Sequence, residues 1–133
     1  MDVILKRFET PDEVREMVAG GLEFGSHTMT HPILSNVSPA QLEEEISESK
    51  KILERELESE VLAFSYPVGG RTSFNETVKT EVKKCGFRFA VSYREGVAKR
   101  DCDPYSLPRI HIETSHSLKL FRANLMYPKI MLR

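Results

Sequence analysis

The chain has 133 residues, with 19 lysines and arginines against 20 aspartates and glutamates, a formal net charge of −1. That length suits one domain with a real core, and the charge balance excludes the basic surface of a nucleic-acid or anionic-membrane binder. No apolar run approaches the roughly 20 residues of a bilayer span. The amino terminus has no basic start leading into an uninterrupted apolar core, so the reading expects no leader peptide and leaves the compartment open. Cys85 and Cys102 lack metal-type spacing. They read as a small buried thiol and a loop thiol, with a disulfide between them left open.

Helix and strand signals alternate along the chain. Thr10-Pro11-Asp12-Glu13 is a helix start, with proline at the first helical position and Glu13 placed to close a capping box. Val14, Met17 and Val18 form its apolar stripe, and Gly20-Gly21 ends it. Leu22–Ser26 reads as a short strand. Ser38-Pro39-Ala40-Gln41 repeats the capping logic, and Leu42, Ile46, Leu53 and Leu57 give an amphipathic helix over 39–58. Val61–Tyr66, closed by Pro67 and Gly69-Gly70, reads as a buried strand. Ser73–Glu76 opens a third helix that Gly86 stops, Phe87–Tyr93 and Leu107–Ile112 read as strands, and Ser117–Met126 as a helix. Strands separated by single helices favour parallel neighbours, hence an α/β sheet or barrel.

His27 and His31 stand four apart at the far end of the first strand, in Gly25-Ser26-His27-Thr28-Met29-Thr30-His31-Pro32. If the link coils into a helical turn, the two rings share one face. Neutral imidazole suits zinc and other borderline divalent ions. Taken alone, the pair reads better as a chance spacing, since four histidines give several chances for it. Its setting raises the metal reading. Tyr66-Pro67-Val68-Gly69-Gly70 ends the next strand and a polar loop ends the one after, and ligands bind at this carboxyl edge in such folds.

The string Ser26-His27-Thr28-Met29-Thr30-His31-Pro32, the capped helix behind it, then Tyr66-Pro67-Val68-Gly69, resembles the polysaccharide deacetylase family, the NodB-homology domain or carbohydrate esterase family 4. Leu107-Pro108-Arg109-Ile110 resembles the matching strand in one branch of it. The resemblance implies a distorted, incomplete (β/α) barrel, here a single partial domain over 1–133. It implies hydrolysis of acetamido groups on an N-acetylated polysaccharide to a free amine and acetate, in the cell envelope or outside the cell. His27 and His31 match the family's metal ligands, for zinc or another divalent ion. Tyr66, with Pro67, matches its substrate-groove string, where the tyrosine N–H helps hold an oxyanion. Arg109 matches a residue that supports the family's base.

One departure stands out. The family opens with a strand ending in a Thr-Phe-Asp-Asp type motif, whose aspartates are the general base and the third metal ligand. Only Asp2 and Asp12 precede His27, and Asp12 belongs to a helix's first turn, where an acid complements the dipole. The first βα portion of the barrel is therefore read as absent. An opened sheet leaves a free edge that invites a second copy, so a homo-oligomer is one expectation. His111 shares a strand face with Arg109 and reads equally as a proton-donating histidine or a satisfied core one. His116 reads as exposed, Ser26 and Thr30 as loop-bonding, Glu43–Glu45 and Lys50-Lys51 as a solvated helix face, and Tyr93 and Tyr105 as core or rim packing. The alternative function is a non-catalytic carbohydrate-binding or assembly module of the same fold.

Overall fold

The computed structural model describes residues 10–112 and 115–127; Asp2 lies outside them. Helix α1, Pro11–Ala19, starts as its sequence dictates. Thr10 Oγ accepts the Glu13 N–H, and the Glu13 carboxylate accepts the Thr10 N–H at 2.6 Å, closing the capping box. Helix α2, Pro39–Leu57, is capped by Ser38, whose Oγ accepts from the Gln41 N–H, and it packs against both α1 and the helix Glu76–Lys84. Its inward face carries Leu42 and Ile46 together with Glu45, Ser49 and Lys50. Lys50 Nζ donates to the Glu54 carboxylate at 2.6 Å and the Val61 carbonyl at 2.7 Å. Its charge also lies 5.0 Å from the Phe87 ring centroid. This buried cation ties the end of α2 to the next strand.

That strand, β1, spans Ala63–Ser65, shorter than the expected Val61–Tyr66. Val61 gives its backbone groups to the Glu54 and Lys50 side chains instead of the ladder. Helix α3, Glu76–Lys84, begins two residues later than the Ser73 cap expected. Ser73 Oγ donates to the Gly70 carbonyl within the preceding loop, and Asn75 Oδ1 accepts the Val78 N–H as the true cap. Strand β2 runs Phe89–Glu95 and β3 Leu107–Arg109. The proline inside β3 donates nothing to a ladder, which suits a short edge strand. Helix α4, Leu118–Met126, falls within the expected Ser117–Met126, with Ser117 as its cap.

The three strands are parallel in the order β1-β2-β3, with Phe64 opposite Ala90 and Val91 opposite Leu107. On the far side of β1, the expected strand Leu22–Ser26 is reduced to one parallel bridge. Ser26 donates to the Ala63 carbonyl at 2.9 Å and accepts from the Ser65 N–H at 2.8 Å. With a partner on one side only among the described residues, no longer ladder forms. Phe64 and Ala90 point under the helices into a core with Ile46, Val82 and Phe87, all at most 2% exposed. Phe64 meets Phe87 and Tyr66 at ring-centroid distances of 5.2 and 5.3 Å. The opposite face carries Phe89 and Tyr93, which are exposed, so helices cover one side of the sheet and leave the barrel side open. This is an incomplete (β/α) arrangement. Among the described residues no helix is long and apolar enough to cross a membrane.

Candidate metal-binding site

His27 follows the bridging Ser26 directly and is thereby fixed at the carboxyl edge of the sheet. The chain beyond it does not coil into the helical turn expected from the spacing. Thr28 and His31 both take left-handed backbone conformations, with φ of 68° and 61°. Thr28 Oγ accepts the His31 N–H at 3.1 Å, closing the arm on itself. The result still brings the imidazoles together, with ring centroids 4.9 Å apart and planes 76° apart. Two imidazoles on one tetrahedral zinc, with Zn–N of about 2.0–2.1 Å, place their centroids roughly 5 Å apart, a separation that this pair matches.

His27 Nδ1 lies 2.7 Å from the Ser65 carbonyl oxygen. A carbonyl can only accept, so Nδ1 carries the proton and Nε2 keeps a lone pair. Metal-binding histidines are oriented in this way by a partner behind the ring. Burial pushes the His27 imidazole below its ordinary value. The Ser65 bond opposes that shift, while the charges of His31 and Arg109 add to it. The ring therefore stays neutral further into acid than an exposed histidine. Among the described residues no group of three or more His, Cys, Asp or Glu side chains converges as a metal site. Asp12 pairs with Arg15 at 2.5 Å on the surface of α1.

Arg109 and His111 gather around Tyr93 rather than around an aspartate. Arg109 Nε donates to the Ser92 carbonyl at 2.8 Å, and its guanidinium lies 5.6 Å from the Tyr93 ring centroid. His111 stacks on the same ring at 4.0 Å, and its Nε2 is buried with no hydrogen-bond partner among the described residues. Gly69 packs against the backbone of the same tyrosine. Its φ is +63°, and a Cβ there would stand 2.6 Å from the Tyr93 nitrogen, so only glycine lets the Tyr66-Pro67-Val68-Gly69 loop close on β2.

Tyr66 differs from the groove residue its motif suggests. It is 1% exposed, stacks on Phe74 at 3.9 Å, and donates its hydroxyl to the Tyr105 carbonyl. Its N–H donates to the Val91 carbonyl at 3.2 Å, and burial pushes its phenol well above the usual tyrosine value. Pro67 is fully buried beside it. Both residues shape the loop from within the core, because the apolar body of Tyr66 gains more from packing than from the rim.

Two residues of the face expected to be solvated are buried: Lys50, engaged by Glu54 and the Val61 carbonyl, and Glu45. Glu45, assigned to a solvated face, is 5% exposed, and its carboxylate is spent on the arm between the histidines. The signal was present: Leu42, Glu45, Ile46 and Ser49 share one helix face by their spacing.

A partial parallel α/β barrel with paired histidines at its carboxyl edge defines a class of site, and comparison narrows it. Residues 4–90 match the family model for polysaccharide deacetylase, and the chain belongs to that family. It is 30% identical over 118 residues to YxkH of Bacillus subtilis (strain 168), whose name places it among the polysaccharide deacetylases, covering 89% of this chain and 41% of that one. The deacetylase PplD of Streptococcus pyogenes, solved in complex with acetate, superposes with a TM-score of 0.79 at 29% identity, over 86% of this chain and 49% of that one. A polysaccharide deacetylase from Bacillus cereus gives 0.74 at 28% identity, over 87% and 36%. The chain thus spans less than half the length of each of these relatives. The incomplete barrel is the part of the family fold that this chain carries.

Proposed function

We propose that this chain carries the metal-binding portion of a polysaccharide N-deacetylase, with His27 and His31 as ligands of a divalent ion, zinc by donor preference. The observation that supports it most is the imidazole pair 4.9 Å apart with His27 Nδ1 held by the Ser65 carbonyl. Such an ion would polarise an acetamide carbonyl and lower the pKa of its water to about 7. His27 and His31 hold it, and the Ser65 carbonyl keeps the His27 lone pair aimed outward. His111, stacked on Tyr93 with an Nε2 that has no partner among the described residues, is the group suited to protonate a leaving amine. Arg109, fixed on the Ser92 carbonyl, is suited to orient a carboxylate. The substrate is an N-acetylated polysaccharide reaching this edge of the sheet.

The general base is the missing part. Among the described residues no carboxylate joins the histidines as a third metal-type ligand, and the Glu45 oxygens are already engaged by three donors. The chain alone, pure and zinc-loaded, is therefore expected to release no acetate from an acetylated chitooligosaccharide above the zinc-free background. Sustained acetate release from that preparation would overturn the division of the site. The same lack of a carboxylate favours, as a second reading, a non-catalytic carbohydrate-binding module. Tight oligosaccharide binding that is indifferent to zinc and to His27→Ala would select it.

A further inference from the structure

We infer that Glu45, on the inward face of α2, is a positioning residue that locks the arm between His27 and His31 in its ligand-presenting shape. The inference deepens the metal-site reading and rests on it. One Glu45 oxygen accepts the N–H groups of Met29 and Thr30, at 2.8 and 2.9 Å, and the other accepts the Thr30 hydroxyl. Three donors from two consecutive residues thus converge on one carboxylate, midway between the histidines. One helical turn further along α2, Ser49 Oγ meets Ser26 Oγ at 2.6 Å, fixing the residue before His27. A polar stripe on α2 therefore grips the segment at two points, on either side of the first imidazole.

The arm needs such a grip. Thr28 and His31 adopt left-handed conformations that side-chain-bearing residues rarely take, and strained residues of this kind persist only where their surroundings over-determine them. The Thr28–His31 bond inside the arm shapes it without anchoring it to the rest of the fold. The Glu45 bonds supply the anchor. They are charge-assisted, and they sit where exposure is only 5%, so water competes poorly for the donors. No ion pair of Glu45 with a lysine or arginine occurs among the described residues, which leaves the arm's own donors as its counterpart.

Glu45→Gln tests the inference, because a glutamine keeps the size but turns one acceptor oxygen into a donor NH₂. The measurements are amide hydrogen exchange at Met29 and Thr30, zinc affinity by calorimetry, and the urea midpoint. Expected are faster exchange at both amides and zinc binding weaker by about 10–100-fold, the usual cost of losing a partner behind a metal ligand, in a protein that still unfolds cooperatively. Thr30→Val, which removes the hydroxyl donor alone, is expected to move the same readouts less, and it decides the matter if Glu45→Gln does not fold. A folded Glu45→Gln protein with wild-type exchange at Met29 and Thr30 overturns the inference, as does wild-type zinc affinity in a chain whose His27→Ala variant has lost it. If the wild type takes up no zinc, the metal reading fails on its own. The exchange data then still decide whether Glu45 holds the arm.

Discussion

Phe64→Ala is expected to cost about 3–5 kcal/mol, the usual range for removing a buried aromatic ring from a core. Phe64 is 0% exposed, and its ring meets Phe87 and Tyr66 at 5.2 and 5.3 Å. Its backbone also bridges Ser26, the residue that positions His27. An open half-barrel with an uncovered sheet face starts from the low end of the usual stability of about 5–15 kcal/mol. The substitution therefore removes most of what is available, and the histidine arm is lost with the core. Urea unfolding checks it: a midpoint close to wild type would mean that Phe64 is not the centre of the packing.

His27→Ala carries the largest expected functional effect. Without that imidazole a single histidine remains, and zinc affinity is expected to fall by at least about 100-fold, beyond the 10–100-fold typical of changes behind a ligand, with the urea midpoint little changed. Acid is expected to weaken binding in the wild type, since protons compete for the same lone pair. The folded-state value of His27 lies below 6.5. The unfolded chain thus takes up this proton first as pH falls, and the stability contributed by neutral His27 is present above about 6.5 and lost below it. Zinc affinity and the urea midpoint should therefore decline together on acidification. Calorimetry at neutral and acid pH checks both, and equal affinities for wild type and variant would make the histidines bystanders.

What the sequence disclosed was mostly local. Thr10 and Ser38 cap α1 and α2 where the capping pattern placed them, because a cap needs only residues three apart. The third cap shifted to Asn75 because the side chain of Ser73 was drawn into the loop after β1, a choice made by tertiary contacts. Strands β1 and β3 came out short, and β2 shifted by two residues, for a similar reason: pairing is non-local, and Val61 met side chains where a ladder was expected. The histidine string announced its chemistry, but its shape did not follow from spacing. Nothing in Thr28-Met29-Thr30-His31 signals two left-handed residues; they exist because α2 holds the arm from behind. Tyr66 shows the converse. Its motif resembles a groove residue, yet an aromatic ring beside Phe64 and Phe74 finds more to bury against than to display.

The most direct measurement is zinc K-edge X-ray absorption on the chain loaded with one equivalent of metal. Two imidazole nitrogens at about 2.0–2.1 Å, with water oxygens filling the remaining positions, are expected, and His31→Ala should reduce the count to one. A spectrum with no imidazole, or with one that survives loss of either His27 or His31, would contradict a shared ion between them.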